Sequence, residues 1–416
     1  MGFRRQPQEA SGQFTEVGNM RRVAVFMLVC ALGVGALGQV TISFWHAMSR
    51  ALGETLTELV DKFQEENPGI KVDLVYQGGY SALQQKLIAA VAAGEPPILA
   101  QQYQNWTTQW LDALVDLDLF LPAEIQADLL PQFDELFEGR MVTVPFNKSI
   151  LVLYYRPDLV PDPPRTWEEF ESIVTAIGKD EEKGVYGTAF RPPNPEIFLT
   201  LLYQAGGSIL SDDWSEVTIN NPAGLEAAEF AARLAQYALL DSAYTSDAIA
   251  KGIAIGAFID TSAGYTYNMN AANAAGVPLA VAPLPCHDGN CASMIQGTNL
   301  AVFAPKASRA QIEAAAALIA FLLREDNIVY WAQKTGYLPV TRSAIYGDLW
   351  QSYIAGKPAQ KVMTDQLIAG GFGQLLHPRY MDMRSLLITY WELLLMGEDT
   401  PQAVLDALAA EIDAIK

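Results

Sequence analysis

The sequence predicts an α/β protein built in two lobes, with a ligand cleft between them. Three observations lead there. From Val40 onward, strand-like and helix-like stretches alternate, the order that builds parallel sheets with right-handed helical crossovers. The chain has 416 residues, more than one hydrophobic core ordinarily supports. The first three strands end in Phe44-Trp45-His46, Gly78-Gly79-Tyr80 and Gln104-Asn105-Trp106, aromatic and polar where an ordinary loop offers Ser, Asp and Lys. In such sheets ligands sit beyond the carboxyl ends of the strands.

Residues 1–19 are polar and without pattern, and Met20-Arg21-Arg22 then leads into an apolar run ending in small residues at Ala36 and Gly38. Positive charge, apolar core and small-residue site describe a secretory signal, so residues 1–38 read as an extension and signal peptide with translation starting at Met20 and cleavage near Gly38. The run is short for a retained membrane anchor, which is the alternative. Val29 is too bulky to make Cys30 a lipid-attachment site.

The mature elements follow in order. VTISFWH is a buried strand, and Ala51 to Glu66 carries Leu52, Leu56, Leu59, Val60 and Phe63 at helical spacing before Asn67-Pro68-Gly69 stops it. IKVDLVYQ is a second strand, Ser81 to Ala93 a second helix and PILAQQY a third strand. MVTVPFNKSILVLYYRPDLV reads as a strand broken at Pro145 that resumes in another sheet, which puts the first lobe crossing there. Thr166 and Glu169 form a capping-box pattern that starts a helix at Trp167. Further helices are expected near 195–205, 223–239 and 310–324, with YGTAFRPPNP, FIDTSAGYTYN and MIQGTNLAVFAP as irregular segments between them. A long Ala/Leu helical pattern runs from Arg309 to Lys334, after which Gly336 and Pro339 force the backbone to turn and aim Tyr337. An amphipathic helix is expected from Ser385 to Leu395.

Hydrophobic residues make up 50% of the chain and charged residues 18%, a globular balance. The formal charge is −20, and −22 once residues 1–38, with four Arg and two Glu, are set aside. Such a field repels nucleic acid and anionic membranes, so any bound anion is captured by local groups. Cys286 and Cys291 in PCHDGNC read as a small disulfide. The metal reading, with His287 and Asp288 added, crowds its ligands into six residues. No metal or cofactor is expected.

The strings FWHAM, ENPGIKV, YQGGY, PILAQQY, PFNKSILVLYYRPD, PPRTWEEF and WAQKTGYLPVT span nearly the whole mature chain. Through them the chain resembles the solute-binding proteins of ABC importers, the family that includes maltodextrin-binding proteins, and within it the branch that binds sn-glycerol-3-phosphate. The resemblance implies a periplasmic-binding-protein (Venus-flytrap) fold, each lobe a mixed sheet flanked by helices. The expected lobes are 40–146 with 294–338, and 147–293 with 339–416. It also implies an exported monomer in the periplasm or on the outer face of the cytoplasmic membrane. There it would capture glycerol-3-phosphate or a glycerophosphodiester such as glycerophosphocholine and pass it to membrane permease subunits.

By resemblance the ligand-contacting positions fall on Tyr80, Gln104, Ser149, Ser262, Gly297, Tyr337 and Arg384. Gln104 stands where the branch is expected to carry Glu, and Phe190 and Pro193 replace its pair of Trp. Arg384 is the best anion grip, because a guanidinium holds two phosphate oxygens at once; the bland alternative is a surface ion pair with Asp382. Tyr80, Tyr337 and Ser262 add neutral donors, and Gly297 a backbone N–H approached without a Cβ. Trp45 and Phe190 are cleft walls or core, and His46 reads as a structural histidine. A neutral oligosaccharide receptor is the rival within binding. A secreted hydrolase is the rival outside it, but neither G-x-S-x-G nor H-E-x-x-H occurs.

Overall fold

A computed structural model describes residues 39–133 and 136–416. The predicted signal segment, with Met20, Cys30 and Gly38, lies outside the described residues. Strands β1 (Val40–His46), β2 (Ile70–Tyr76) and β3 (Leu99–Tyr103) pair in parallel in the order β2-β1-β3, joined by helices α1 (Ala51–Glu66) and α2 (Tyr80–Ala92). This is the predicted alternation, with the α1 stripe Leu56, Leu59, Val60 and Phe63 buried against the sheet.

The spine of the molecule is β4 (Val144–Tyr155), twelve residues of which only Tyr155 escapes full burial. Its first half pairs antiparallel with β7 (Ser293–Val302), which in turn pairs with β3. Its second half pairs antiparallel with β5 (Ala257–Thr261) and β6 (Ala280–Ala282). One strand therefore belongs to two sheets, and the change of partner falls between Ile150 and Leu151. Side-chain alternation lets β4 serve two cores: Ile150, Val152 and Tyr154 enter one, Leu151 and Leu153 the other. The second core gathers Trp167, Phe190, Phe230, Tyr380 and Trp391, while Trp106, Trp110 and Phe303 form a separate aromatic cluster.

Four expectations change. Pro145 does not break the strand; it sits opposite Asn299, where the register shifts, and a bulge needs no N–H there. Phe146, left out of the pairing, stacks on Trp331 at 4.9 Å. The segment MIQGTNLAVFAP is not irregular but supplies β7, the strand between the two halves of the main sheet; Gly297 and Asn299 disguised it. FIDTSAGYTYN is the end of β5, a 3-10 turn and a helix starting at Tyr265. The pattern from Arg309 to Lys334 divides at Arg324, extended at ψ 142°, whose guanidinium bridges Glu66 and Asp326. The second of these helices ends at Gly336 in the left-handed conformation (φ 82°), as its sequence predicted.

Helix α3 (Trp167–Ile177) is capped by Thr166, whose hydroxyl accepts from the Glu169 N–H at 3.3 Å. The Glu169 carboxylate accepts from the Arg165 N–H instead of closing the box on Thr166. Beside it Cys286 and Cys291 form a disulfide, with Cα atoms 4.3 Å apart. His287 in that loop stacks on Trp167 at 4.2 Å and lies 3.2 Å from Glu226. Both sulfurs are bonded to each other, which removes the thiolates a metal would need.

Candidate functional site

The predicted positions converge around residues 147–150 of β4. Tyr80 opens α2 directly after Gly78-Gly79, where Gly78 takes φ 96°. Its ring lies 4.8 Å from that of Tyr103, and its hydroxyl accepts from the Asn147 amide at 3.5 Å. Tyr337 is buried, and the polar groups of Tyr80 and Asn147 favour its ionised form less than burial opposes it. Asn147 is fixed from beneath: its Oδ1 accepts from Thr298 and from Gln101 Nε2 (3.1 Å), and Gln101 is itself held by the Ala47 N–H at 2.9 Å. Burial, first of all, pushes the phenols of Tyr80, Tyr103 and Tyr337 above their ordinary range, so all three remain neutral donors.

Across this group, Gln104 Oε1 accepts from Lys148 Nζ at 3.4 Å, while its buried Nε2 has no partner. Ser149 Oγ accepts from Thr261 Oγ1 at 2.8 Å, and Ser262 Oγ accepts from the Ile150 N–H at 3.1 Å. Each serine is used as an acceptor, which leaves its own O–H to donate. Leu338 N–H donates to the Lys148 carbonyl at 2.8 Å and so ties Tyr337 to β4. Gly297 has φ 104°, and a Cβ there would lie 1.9 Å from the Asn147 carbonyl oxygen. Strand packing alone demands this glycine, a reason invisible in the sequence.

The second wall comes from α4 (Glu196–Gln204) and α5 (Tyr380–Met396). Arg384 on α5 is three-quarters buried and donates to Glu196 Oε1 from Nε (2.7 Å), with a second guanidinium nitrogen at 2.6 Å. The alternative partner, Asp382, binds Arg379 instead. Burial by itself lowers the Arg384 pKa, but the Glu196 charge and hydrogen bond raise it above its ordinary value. Tyr103 and Tyr380 both feel this ion pair, which places Arg384 within electrostatic reach of the first wall. The Arg191 guanidinium lies 4.3 Å above the ring of the exposed Tyr244. At the rim the Asn105 amide donates to Gln374, and Leu376 and Met381 pack on the Trp106 cluster.

One of the two possible cleft walls lies elsewhere. Phe190 is 2% exposed and packs edge-on against Trp391 at 5.4 Å, so it belongs to the second core and is no cleft wall. Trp45 is half-buried against the Trp106 and Trp110 cluster. His46 is structural: its Nδ1 accepts from the Met48 N–H at 3.2 Å, and burial lowers its pKa to about 4. Sequence reasoning missed Tyr103, Asn147 and Glu196. The first two lie in the strings PILAQQY and PFNKS and were findable there. Glu196 was not, since an acid in the first turn of a helix ordinarily complements the helix dipole.

A two-lobed α/β fold with one strand common to both sheets and buried polar side chains gathered beside it is the architecture of a solute-binding protein. Residues 58–358 match the sequence profile of the bacterial extracellular solute-binding proteins, and the chain belongs to that family. It is 25% identical over 409 residues to the sn-glycerol-3-phosphate-binding periplasmic protein UgpB of Escherichia coli K12, covering 90% of this chain and 93% of that one. Among solved structures it is similar to the cyclic alpha-maltosyl-1,6-maltose binding protein of Arthrobacter globiformis (TM-score 0.79, 23% identity, 91% and 99% of the two chains). It is equally similar to UgpB of Mycobacterium tuberculosis in complex with glycerophosphocholine (TM-score 0.78, 22% identity, 91% and 98%). Among the described residues no helix is long and apolar enough to cross a membrane.

Proposed function

We propose that the protein captures sn-glycerol-3-phosphate or a glycerophosphodiester such as glycerophosphocholine outside the cytoplasmic membrane and delivers it unchanged to the transmembrane subunits of an ABC permease. The observation that carries this reading is the largely buried Arg384, one turn along α5 from Met381, which packs on the same aromatic cluster as Tyr80 and Tyr103. A guanidinium grips two phosphate oxygens, and phenols and amides suit glycerol hydroxyls. The proposed lobes are 40–146 with 294–338 and 147–293 with 339–416, hinged where β4 changes partners. Ligand touching one lobe selects the closed form, because only closure makes both sets of contacts. Exclusion of water then strengthens each charge-assisted bond.

A second reading, a neutral oligosaccharide receptor, is favoured by one observation: Glu196 already neutralises Arg384. Titration calorimetry with glycerol-3-phosphate, glycerophosphocholine, maltose and trehalose separates the two. Binding of a phosphate ester, recovered unaltered afterwards, is the expected result; tight binding of a neutral sugar with no binding of either ester overturns it.

A further inference from the structure

Glu196 is an unusual neighbour for a phosphate. Its side chain is 6% exposed and its carboxylate lies 2.6 Å from the guanidinium that would grip the anion. It opens α4 directly after Pro195, and Thr200 one turn later donates to its carbonyl at 2.9 Å, so its backbone is fixed. The other guanidinium near the cleft, Arg191, lies on the Tyr244 ring and donates to the Ala243 and Ser242 carbonyls, which holds it away from the Arg384 pair. Lys148 lies against Gln104 and 5.7 Å from the Phe133 ring centre. The groups that meet the phosphate are therefore one guanidinium and one carboxylate in contact with each other.

We infer that Glu196 is a charge filter: the cleft takes a phosphate that carries a single negative charge, a diester, and discriminates against the dianion of a monoester. This rests on the phosphate-ester reading of the cleft. A monoanion shares Arg384 with Glu196 at the cost of one carboxylate–phosphate repulsion. A dianion doubles its repulsion from Glu196 as well as its attraction to Arg384, so the paired charges largely offset each other, and it carries the larger cost of leaving water for a buried site. A cationic head on the diester faces Glu196 and gains an attraction that a monoester lacks. Gln104, neutral where the related binders are expected to carry Glu, leaves Glu196 as the carboxylate that sets this preference.

Calorimetry at pH 8, where the monoester is fully dianionic, tests it with three probes: glycerol-3-phosphate, its methyl diester, and glycerophosphocholine. The parent protein should bind both diesters at least tenfold more tightly than the monoester. Glu196→Gln should cut that preference at least tenfold. A monoester that binds the parent as tightly as the methyl diester, or a preference unchanged by Glu196→Gln, overturns the filter while leaving the phosphate-ester reading intact. Failure of all three probes overturns that reading itself. If Glu196→Gln leaves Arg384 too poorly compensated to fold, the ranking of the three probes on the parent still decides.

Discussion

Arg384 and Glu196 hold each other across α5 and α4, and the consequences differ for stability and for the proposed binding. Removing the guanidinium leaves a buried carboxylate and a ligand phosphate without their cation, so Arg384→Ala is predicted to weaken phosphate-ester binding by about 2–4 kcal/mol. Arg384→Lys keeps the charge but loses the two-point grip, and calorimetry should show it weakened as well. Binding by Arg384→Ala equal to that of the parent would remove this residue from the site. At Gly297, a Cβ would overlap the Asn147 carbonyl at 1.9 Å in a backbone region that L residues rarely adopt. Gly297→Ala is therefore expected to cost about 3 kcal/mol in urea unfolding, because Asn147 cannot move without disturbing Gln101 and Thr298. His46 gives a pH signature. Its folded pKa is about 4 against an ordinary 6.5, so stability is complete above pH 6.5 and falls as the unfolded chain takes up a proton that the folded chain refuses. From pH 7 to pH 5 the parent should lose about 2 kcal/mol more than His46→Gln; equal losses would mean His46 titrates normally.

At the scale of elements, the disulfide between Cys286 and Cys291 closes a loop of few residues. Loop entropy assigns it about 2 kcal/mol, a modest contribution. The loop also brings the His287 ring onto Trp167 and presents the Cys286 carbonyl to the Trp167 N–H, so it anchors the start of α3. Replacing both cysteines by serine should lower the unfolding free energy measured in urea by that amount and leave ligand affinity within twofold, since neither residue is among the candidate site positions. A larger loss would assign the loop a packing role beyond its covalent link. β4 matters more. Its bulge at Pro145 and Phe146 sets which face Asn147, Lys148 and Ser149 each occupy, and a regular strand through this point would exchange those faces.

For the whole molecule, β4 spans both sheets, and at the rim Gln374 bonds Asn105 while Leu376 and Met381 pack on the Trp106 cluster, so in the proposed closure these contacts and the ligand together hold the two walls. Ligand should therefore act as a fastener. A phosphate ester at 100 times its dissociation constant is predicted to stabilise the fold by about 2.7 kcal/mol, read as a raised melting temperature. Small-angle scattering of the same sample should show a smaller radius of gyration with ligand than without. Stabilisation with no change in radius would make the cleft pre-closed and the hinge idle.

Sequence by itself determined the alternation β1-α1-β2-α2-β3, the turn at Gly336, the disulfide and the family, because each rests on local patterning or on strings long enough to be specific. It also put Tyr80, Ser149 and Tyr337 forward as candidates, since those strings contain them. Tertiary structure decided the rest. Residues 293–302 form a strand only because β3 and β4 supply partners on both sides, and their own Gln, Gly, Thr and Asn give no strand signal. Phe190 packs in the second core because its ring partner Trp391 lies far along the chain. Glu196 and Arg384 stand 188 residues apart. Nothing local marks an ion pair whose two halves meet only when two helices pack, and that meeting sets the charge of the cleft.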